Sequence, residues 1–354
     1  MDLADLIRRH APAYLDRFGE RMPKAHRAAL EAILRCHTQA CGGSLYVCPD
    51  CGEMHYSYHG CGHRACGQCG HAQAQAWLER QTARLLPVHY FLATFTIPEA
   101  LRGPFRHEQR FFYDLLMRES AATLQDVAAQ PRYLNGRLGM LAVLHTWSRQ
   151  LIYHPHVHFV IPGVALCQDG TLQWPANPEY LLPVQRLSAR FRTRMRLAIQ
   201  EQRPALYAQL APAVWRKPWV VHLESAGTGR NALQYLSRYI YKTAISSARL
   251  LWQDDQNVCF SYRDSRTGEE HTCTLAAEEF LRRFLQHVLP KSFHRVRSYG
   301  WQSPAAKASY ERIAALLGAP AQTAHGKAKV PVLILCPRCH GPMHRLGDLS
   351  RAPP

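Results

Sequence analysis

The chain has 354 residues, 47% of them hydrophobic, which is enough for a real core in two or three domains. No apolar run approaches the roughly 20 residues of a membrane-spanning helix, and the start "MDLADLIRRHAPAYL" carries acids where a leader has an apolar block, so we expect no membrane span and a soluble cytoplasmic chain. The 43 Lys and Arg against 26 Asp and Glu leave a formal charge of +17, which points to a polyanion, nucleic acid before membrane.

In chain order, "LADLIRRHAPAYLDRF" and "AHRAALEAILRC" have helical periodicity. A dense cysteine cluster follows. Of the twelve cysteines, seven lie between Cys36 and Cys69, and two more form Cys336-x-x-Cys339. In a cytosolic chain such clustering favours zinc over disulfides. "CPDCG" at Cys48–Cys51 and "CGQC" at Cys66–Cys69 have the spacing of a four-cysteine zinc ribbon, two tight turns aiming thiolates at one ion. Cys36, Cys41, Cys61 and His63 remain for a second tetrahedral site, with His37, His55, His59 and His71 competing. As an alternative the spare cysteines are buried small hydrophobes. The C-terminal pair needs two more ligands, from His340, His344 or the N-terminal domain.

Further along, "VHYFLATFTIP" (88–98) reads as a strand ended by Pro98, and 105–128 as one long amphipathic helix. Strands follow at 137–147 and in "HVHFVIPG", with "SRQLIYHP" as their connection. Residues 184–202 form a basic helix, which either lines a DNA path or is a solvated face. A strand covers 218–226, and a helix starts at 231. Strands joined by short turns pair antiparallel, so the fold class is α+β, an antiparallel sheet with helices packed on it.

In "YHPHVHFVIPG", residues two apart share a face of the strand. His156 and His158 therefore point the same way, with His154 on that face but before Pro155. Two imidazoles on one side of a sheet bind a divalent ion if a neighbour supplies a third ligand. The partner strand offers His145 and, near the turn, Gln150; we carry Gln150 forward as the third ligand. Alternating polar residues also simply mark a solvent face, so the pair needs something to act with. "QYLSRYIYK" supplies it: Tyr235, Arg238, Tyr239 and Lys242 form one helical stripe, which faces something anionic. A phenol has a pKa near 10 and needs a cation or a metal to become a nucleophile.

The stretches "LHTW", "HPHVHFVIPG", "YLSRYIYKTAIS", "FHRVRSYGW" and "CPRCHGPM", with the N-terminal cysteine pattern, together resemble the two-tyrosine HUH rolling-circle transposases of bacterial insertion sequences, related to Helitrons. The resemblance covers nearly the whole chain. It implies an HUH palm-like antiparallel sheet with flanking helices, plus an N-terminal zinc-binding domain. The expected layout is a zinc-binding, DNA-binding domain over 1–85, the HUH nuclease and transposase domain over 86–290, and a C-terminal segment over 291–354. It implies His156 and His158 as ligands of a catalytic Mg2+ or Mn2+ and structural Zn2+ in the cysteine domain. Tyr235 and Tyr239 would be the nucleophiles, and Lys242 the cation after the second.

The implied reaction is cleavage and rejoining of single-stranded DNA at transposon ends and target through 5′-phosphotyrosine. No G-x-x-x-x-G-K-[ST] motif is present, so a host helicase and the replication machinery become partners, at the nucleoid. The sequence departs from relatives at Ala65, where they often have histidine, and at Gly42-Gly43-Ser44, where they often have "GGH"; Cys41 and His63 would stand in. Alternatives are a replication initiator or relaxase with the same chemistry, and a non-catalytic zinc-finger nucleic-acid-binding protein. A covalent protein–DNA adduct separates these readings.

Overall fold

The computed structural model describes residues 1–240, 244–264, 267–319 and 333–351, without the side chains of Arg238 and Tyr239. The chain forms two units, each discontinuous in sequence: Met1–Gln73 with Tyr241–Val288 and Gln322–Pro354, and Ala74–Ile240 with Leu289–Ala321. Among the described residues no helix is long and apolar enough to cross a membrane.

The second unit is built on a seven-stranded antiparallel sheet. Its order is Leu172–Gln173, Ala165–Leu166, Arg137–Trp147, Tyr153–Pro162, Tyr90–Thr96 and Val221–Ser225, and Val296–Gly300 also pairs with Arg137–Trp147. Alternation along the strands sorts side chains by face. Phe91, Ala93, Phe95, Met140, Ala142, Leu144, Val157, Phe159 and Ile161 join one core with the helices Gln109–Ala128 and Val184–Gln202. Each large side chain buried there contributes roughly 2–3 kcal/mol. The opposite face carries His145, His156, His158 and Thr94.

Two local readings differ from the sequence expectation. The helix expected over 105–128 is two helices, Arg102–His107 and Gln109–Ala128, broken at Glu108 (φ −116°, ψ 57°). There the Glu108 carboxylate accepts from Arg203 Nη2 at 2.7 Å and Nε at 2.9 Å. The histidine strand begins at Tyr153, inside the expected connection. Pro155 is tolerated because the register shifts there, between the pairs His145–His156 and Trp147–Tyr153, so the ladder does not need its missing N–H.

The first unit begins with the helices Leu3–Phe18 and Lys24–Arg35. Asp2 caps the first by accepting from the Ala4 N–H at 3.2 Å. One antiparallel sheet has the order His344–Leu349, Gly43–Val47, Met54–Tyr58. A second, Glu270–Ala276, Asn257–Arg263, Leu250–Gln253, lies beyond the last element expected from sequence. Its first turn is set by Asp254, whose Oδ1 accepts from the Gln256 and Asn257 N–H groups at 2.8 and 2.6 Å. The helix Ala277–Leu285 follows, with Phe280 packed at 6.1 Å from Phe260.

Candidate active site and cysteine centres

Register builds the histidine cluster. His145 lies directly across the ladder from His156, and Val143 and Thr94 flank His158. Opposed residues share a face, so the three imidazoles converge, and their ligand atoms all lie within 4.8 Å of one another. The sequence placed His156 and His158 together; the third member of the cluster is His145. Gln150 lies in the turn between the strands, its N–H donated to Ser148 Oγ at 3.3 Å.

Each ring is held by a particular partner. The His154 carbonyl, 2.7 Å from His156 Nδ1, can only accept. Nδ1 therefore carries the proton, and His156 Nε2 keeps its lone pair. Thr94 Oγ1 lies 2.8 Å from His158 Nδ1, and His158 Nε2 is buried with no hydrogen-bond partner among the described residues. Outside the cluster, His154 Nδ1 accepts from Arg102 at 3.0 Å. Burial pushes the imidazoles of the cluster down, His156 to about 4 and the other two well below their ordinary value. They are neutral at neutral pH, as metal ligation requires. Buried, neutral, partly orphaned nitrogens fit a divalent cation. An all-imidazole set favours a first-row transition-metal ion over Mg2+.

The helix Arg230–Ile240 brings Tyr235 to this cluster. The Tyr235 ring meets His158 edge-on, with centroids 5.9 Å apart, and the residue keeps 36% of its surface exposed. The backbone of Tyr239 follows one turn later, but its side chain, and all of Lys242, lie outside the described residues. One residue passed over in the sequence belongs here. Arg295 Nη1 donates to the Ile240 carbonyl at 3.3 Å, at the end of the tyrosine helix. Its guanidinium lies 5.2 Å from the Trp147 ring, and its carbonyl accepts the Leu144 N–H at 2.9 Å. Trp147 in turn stacks on His145 at 5.9 Å. The basic "FHRVRSYGW" stretch was the available signal.

The cysteines are regrouped relative to the sequence reading, which put Cys48, Cys51, Cys66 and Cys69 round one ion. One cluster is Cys36, Cys61, Cys66 and Cys69; the other is Cys48, Cys51, Cys336 and Cys339. In the first, Sγ–Sγ distances are 3.5 Å for Cys36–Cys69 and for Cys36–Cys66, and 3.8 Å for Cys61–Cys69. A tetrahedral Zn2+ with Zn–S of about 2.3 Å has S···S edges of about 3.8 Å, so this set fits zinc. N–H groups of Cys61 and Gly62 donate to Cys36 and Cys69 Sγ, both at 3.4 Å, stabilising thiolate. Cys41 and His63 are outside both clusters. The Cys41 thiol donates to the Arg35 carbonyl at 3.1 Å, and His63 Nδ1 accepts from the Ala65 N–H at 3.1 Å. Spacing fixes each knuckle locally but cannot say which knuckles meet.

Two arginines of the basic helix Val184–Gln202 are matched by acids. Arg190 pairs with Asp126 at 2.6 Å, and Arg194 with Glu119 and Asp126, both at 2.9 Å. Arg192 donates to the Lys217 carbonyl at 2.9 Å.

Comparison with known proteins decides the family. Residues 6–97 match the family model described as "Transposase zinc-binding domain", and residues 139–309 the one described as "Putative transposase". The chain is 37% identical to "Putative transposase y4qJ" of Sinorhizobium fredii over 320 residues, 85% of this chain and 80% of that protein. It is 30% identical to the "Transposase for insertion sequence element IS801" of Pseudomonas savastanoi over 285 residues, 76% of this chain and 68% of that protein. The chain belongs to this family of insertion-sequence transposases. No solved structure matches it. As a transposase it is a DNA-processing, DNA-binding enzyme, and the cluster of Cys36, Cys61, Cys66 and Cys69 falls within its zinc-binding domain. The histidine cluster and Tyr235 fall within the second matched segment, 139–309.

Proposed function

We propose that this transposase cleaves and rejoins single-stranded DNA through 5′-phosphotyrosine intermediates. Tyr235 and Tyr239 are the nucleophiles, and His156 and His158, with His145 or Gln150, hold one Mn2+ or Mg2+. The observation that supports this best is the Tyr235 ring standing edge-on to His158 above three converging imidazoles. A phenol this close to a cation site is placed for attack on a phosphate bound there.

A divalent ion at the imidazoles supplies Lewis-acid polarisation of a phosphodiester. The tyrosine Oη attacks phosphorus in line. The P–Oη bond forms, the P–O3′ bond breaks, the phenolic proton leaves to solvent and the departing 3′ oxygen takes one up. Because the phosphate stays esterified, a 3′-hydroxyl reverses the step at another site with no nucleotide consumed. Lys242, three residues after Tyr239, neutralises charge on the phosphate. Tyr235 and Tyr239 lie one turn apart on one helical face, about 6 Å along the axis. Two such tyrosines let one chain hold two 5′ ends, which suits strand exchange at the transposon ends and the target. With no motor motif in the sequence, a host helicase and the replication machinery supply single strands, at the nucleoid.

The test is adduct formation on a single-stranded oligonucleotide with Mn2+. We expect a covalent protein–DNA species that survives denaturation and maps to Tyr235 or Tyr239. Tyr235→Phe with Tyr239→Phe should abolish it while DNA binding persists. An adduct on Tyr241, or one that survives in the double variant, overturns the assignment. Binding with no adduct under any divalent ion returns the non-catalytic reading.

A further inference from the structure

We propose that Cys48, Cys51, Cys336 and Cys339 form a second zinc centre, half from an N-terminal hairpin and half from the C-terminal segment. It is separate from the centre at Cys36, Cys61, Cys66 and Cys69. The matched zinc-binding domain ends at residue 97, so Cys336 and Cys339 lie outside it.

The two knuckles share one backbone design. In the first, the Gly52 N–H donates to the Cys48 carbonyl at 3.0 Å, and the Cys48 N–H to the Glu53 carbonyl at 2.9 Å. In the second, the His340 N–H donates to the Cys336 carbonyl at 2.9 Å, and the Cys336 N–H to the Gly341 carbonyl at 2.8 Å. The residue after each second cysteine takes a left-handed conformation, Gly52 at φ 73° and His340 at φ 61°. Glycine accepts that freely, and histidine is one of the few other residues that does so. The second knuckle thus repeats the first in backbone conformation as well as in spacing.

The knuckles face each other. Cys48 and Cys339 Sγ are 3.4 Å apart, and Cys51 and Cys336 Sγ are 3.6 Å apart. All four lie within 4.8 Å of one another. These are the edges of a tetrahedron about a metal, well beyond the roughly 2.05 Å of a disulfide. A soft four-sulfur set selects zinc among abundant divalent ions. The Arg338 N–H donates to Cys336 Sγ at 3.4 Å, as thiolate ligands require. Next to the second knuckle, His344–Leu349 pairs with Gly43–Val47, Val47 opposite His344, which holds the halves in register. Cys48, Cys336 and Met343 are buried together, but Cys339 is exposed. As the exposed member of the set, Cys339 is the cysteine a reagent should reach first once no ion holds its sulfur.

The test uses that exposure. In the purified full chain, metal analysis should find two zinc ions. Iodoacetamide mapping by mass spectrometry should find Cys339 protected, then labelled together with Cys48, Cys51 and Cys336 when a chelator removes zinc. Cys336→Ser with Cys339→Ser should leave one ion. Adding Cys48→Ser and Cys51→Ser should cost no further ion, because all four serve the same one. Labelling of Cys339 at the rate of an ordinary thiol in the zinc-loaded chain overturns the proposal, as does a wild-type content of one ion. The labelling arm uses the native chain, so it stands even if a variant fails to fold.

Discussion

Thr94 Oγ1 lies 2.8 Å from His158 Nδ1, across one rung of the sheet, and so fixes which nitrogen of that ring faces the cluster. Hydrogen bonds of this kind orient metal-binding histidines and typically carry 10–100-fold in metal affinity. Thr94→Val keeps the shape and removes the bond. We expect Mn2+ affinity, measured by calorimetry, to fall by about that factor with the fold intact. Unchanged affinity would remove Thr94 from the site.

Beneath the sheet, the Tyr113 and Tyr153 hydroxyls meet at 2.7 Å, both buried. Removing the Tyr153 hydroxyl takes this partner away from the buried Tyr113 hydroxyl. Tyr153→Phe should cost about 1–3 kcal/mol. The double change to phenylalanine should cost clearly less than the sum of the singles, since the second change deletes the orphan. Urea denaturation of the four proteins measures the cycle, and strict additivity would show that the hydroxyls act independently.

Arg295 ties the end of the tyrosine helix to the strand Arg137–Trp147, which carries His145, through the Ile240 carbonyl and Trp147. Arg295→Ala removes a charge-assisted bond and a cation–π contact, together roughly 2–3 kcal/mol. Its melting temperature should fall by several degrees, and adduct yield should fall more than stability explains. Wild-type stability in Arg295→Ala would contradict this reading.

Burial pushes His26, on the helix Lys24–Arg35, down to about 4. The unfolded chain takes up a proton below its ordinary value of about 6.5, while the folded chain does not until about 4. Stability therefore falls as pH drops through that window, by at most about 1.4 kcal/mol per pH unit. His26→Gln should flatten the fall between pH 6.5 and 4.5, measured by urea midpoints. An equally steep fall in that variant would show that other groups carry the acid sensitivity.

Period-two patterning made His156 and His158 legible as neighbours, and helical spacing did the same for Tyr235 and Tyr239. His145 was visible only as a candidate, because its place opposite His156 depends on a register shift at Pro155 that no local signal encodes. Each cysteine knuckle was legible from its own spacing. Proximity in sequence suggested joining Cys48–Cys51 to Cys66–Cys69. The partners that meet Cys48 and Cys51 lie nearly three hundred residues on, at Cys336 and Cys339, and spacing carries no information about so long a closure. The sheet from Leu250 to Ala276 was missed because Leu250–Gln253 and Asn257–Arg263 carry their apolar residues as short runs, without period-two alternation.

The acids that meet Arg190, Arg194 and Arg203 bear on how binding should respond to ionic strength. A guanidinium already neutralised by Asp126, Glu119 or Glu108 displaces no condensed cation from a nucleic acid unless that internal pair is first broken. The steepness of a log-affinity against log-salt plot counts phosphates newly neutralised, so these arginines add little to it. The count of 43 Lys and Arg therefore overstates the electrostatic footprint, whereas the net excess of +17 already subtracts the acids. The slope should be set by cations without an acidic partner, and exchanging Arg190 for a neutral residue should leave it nearly unchanged.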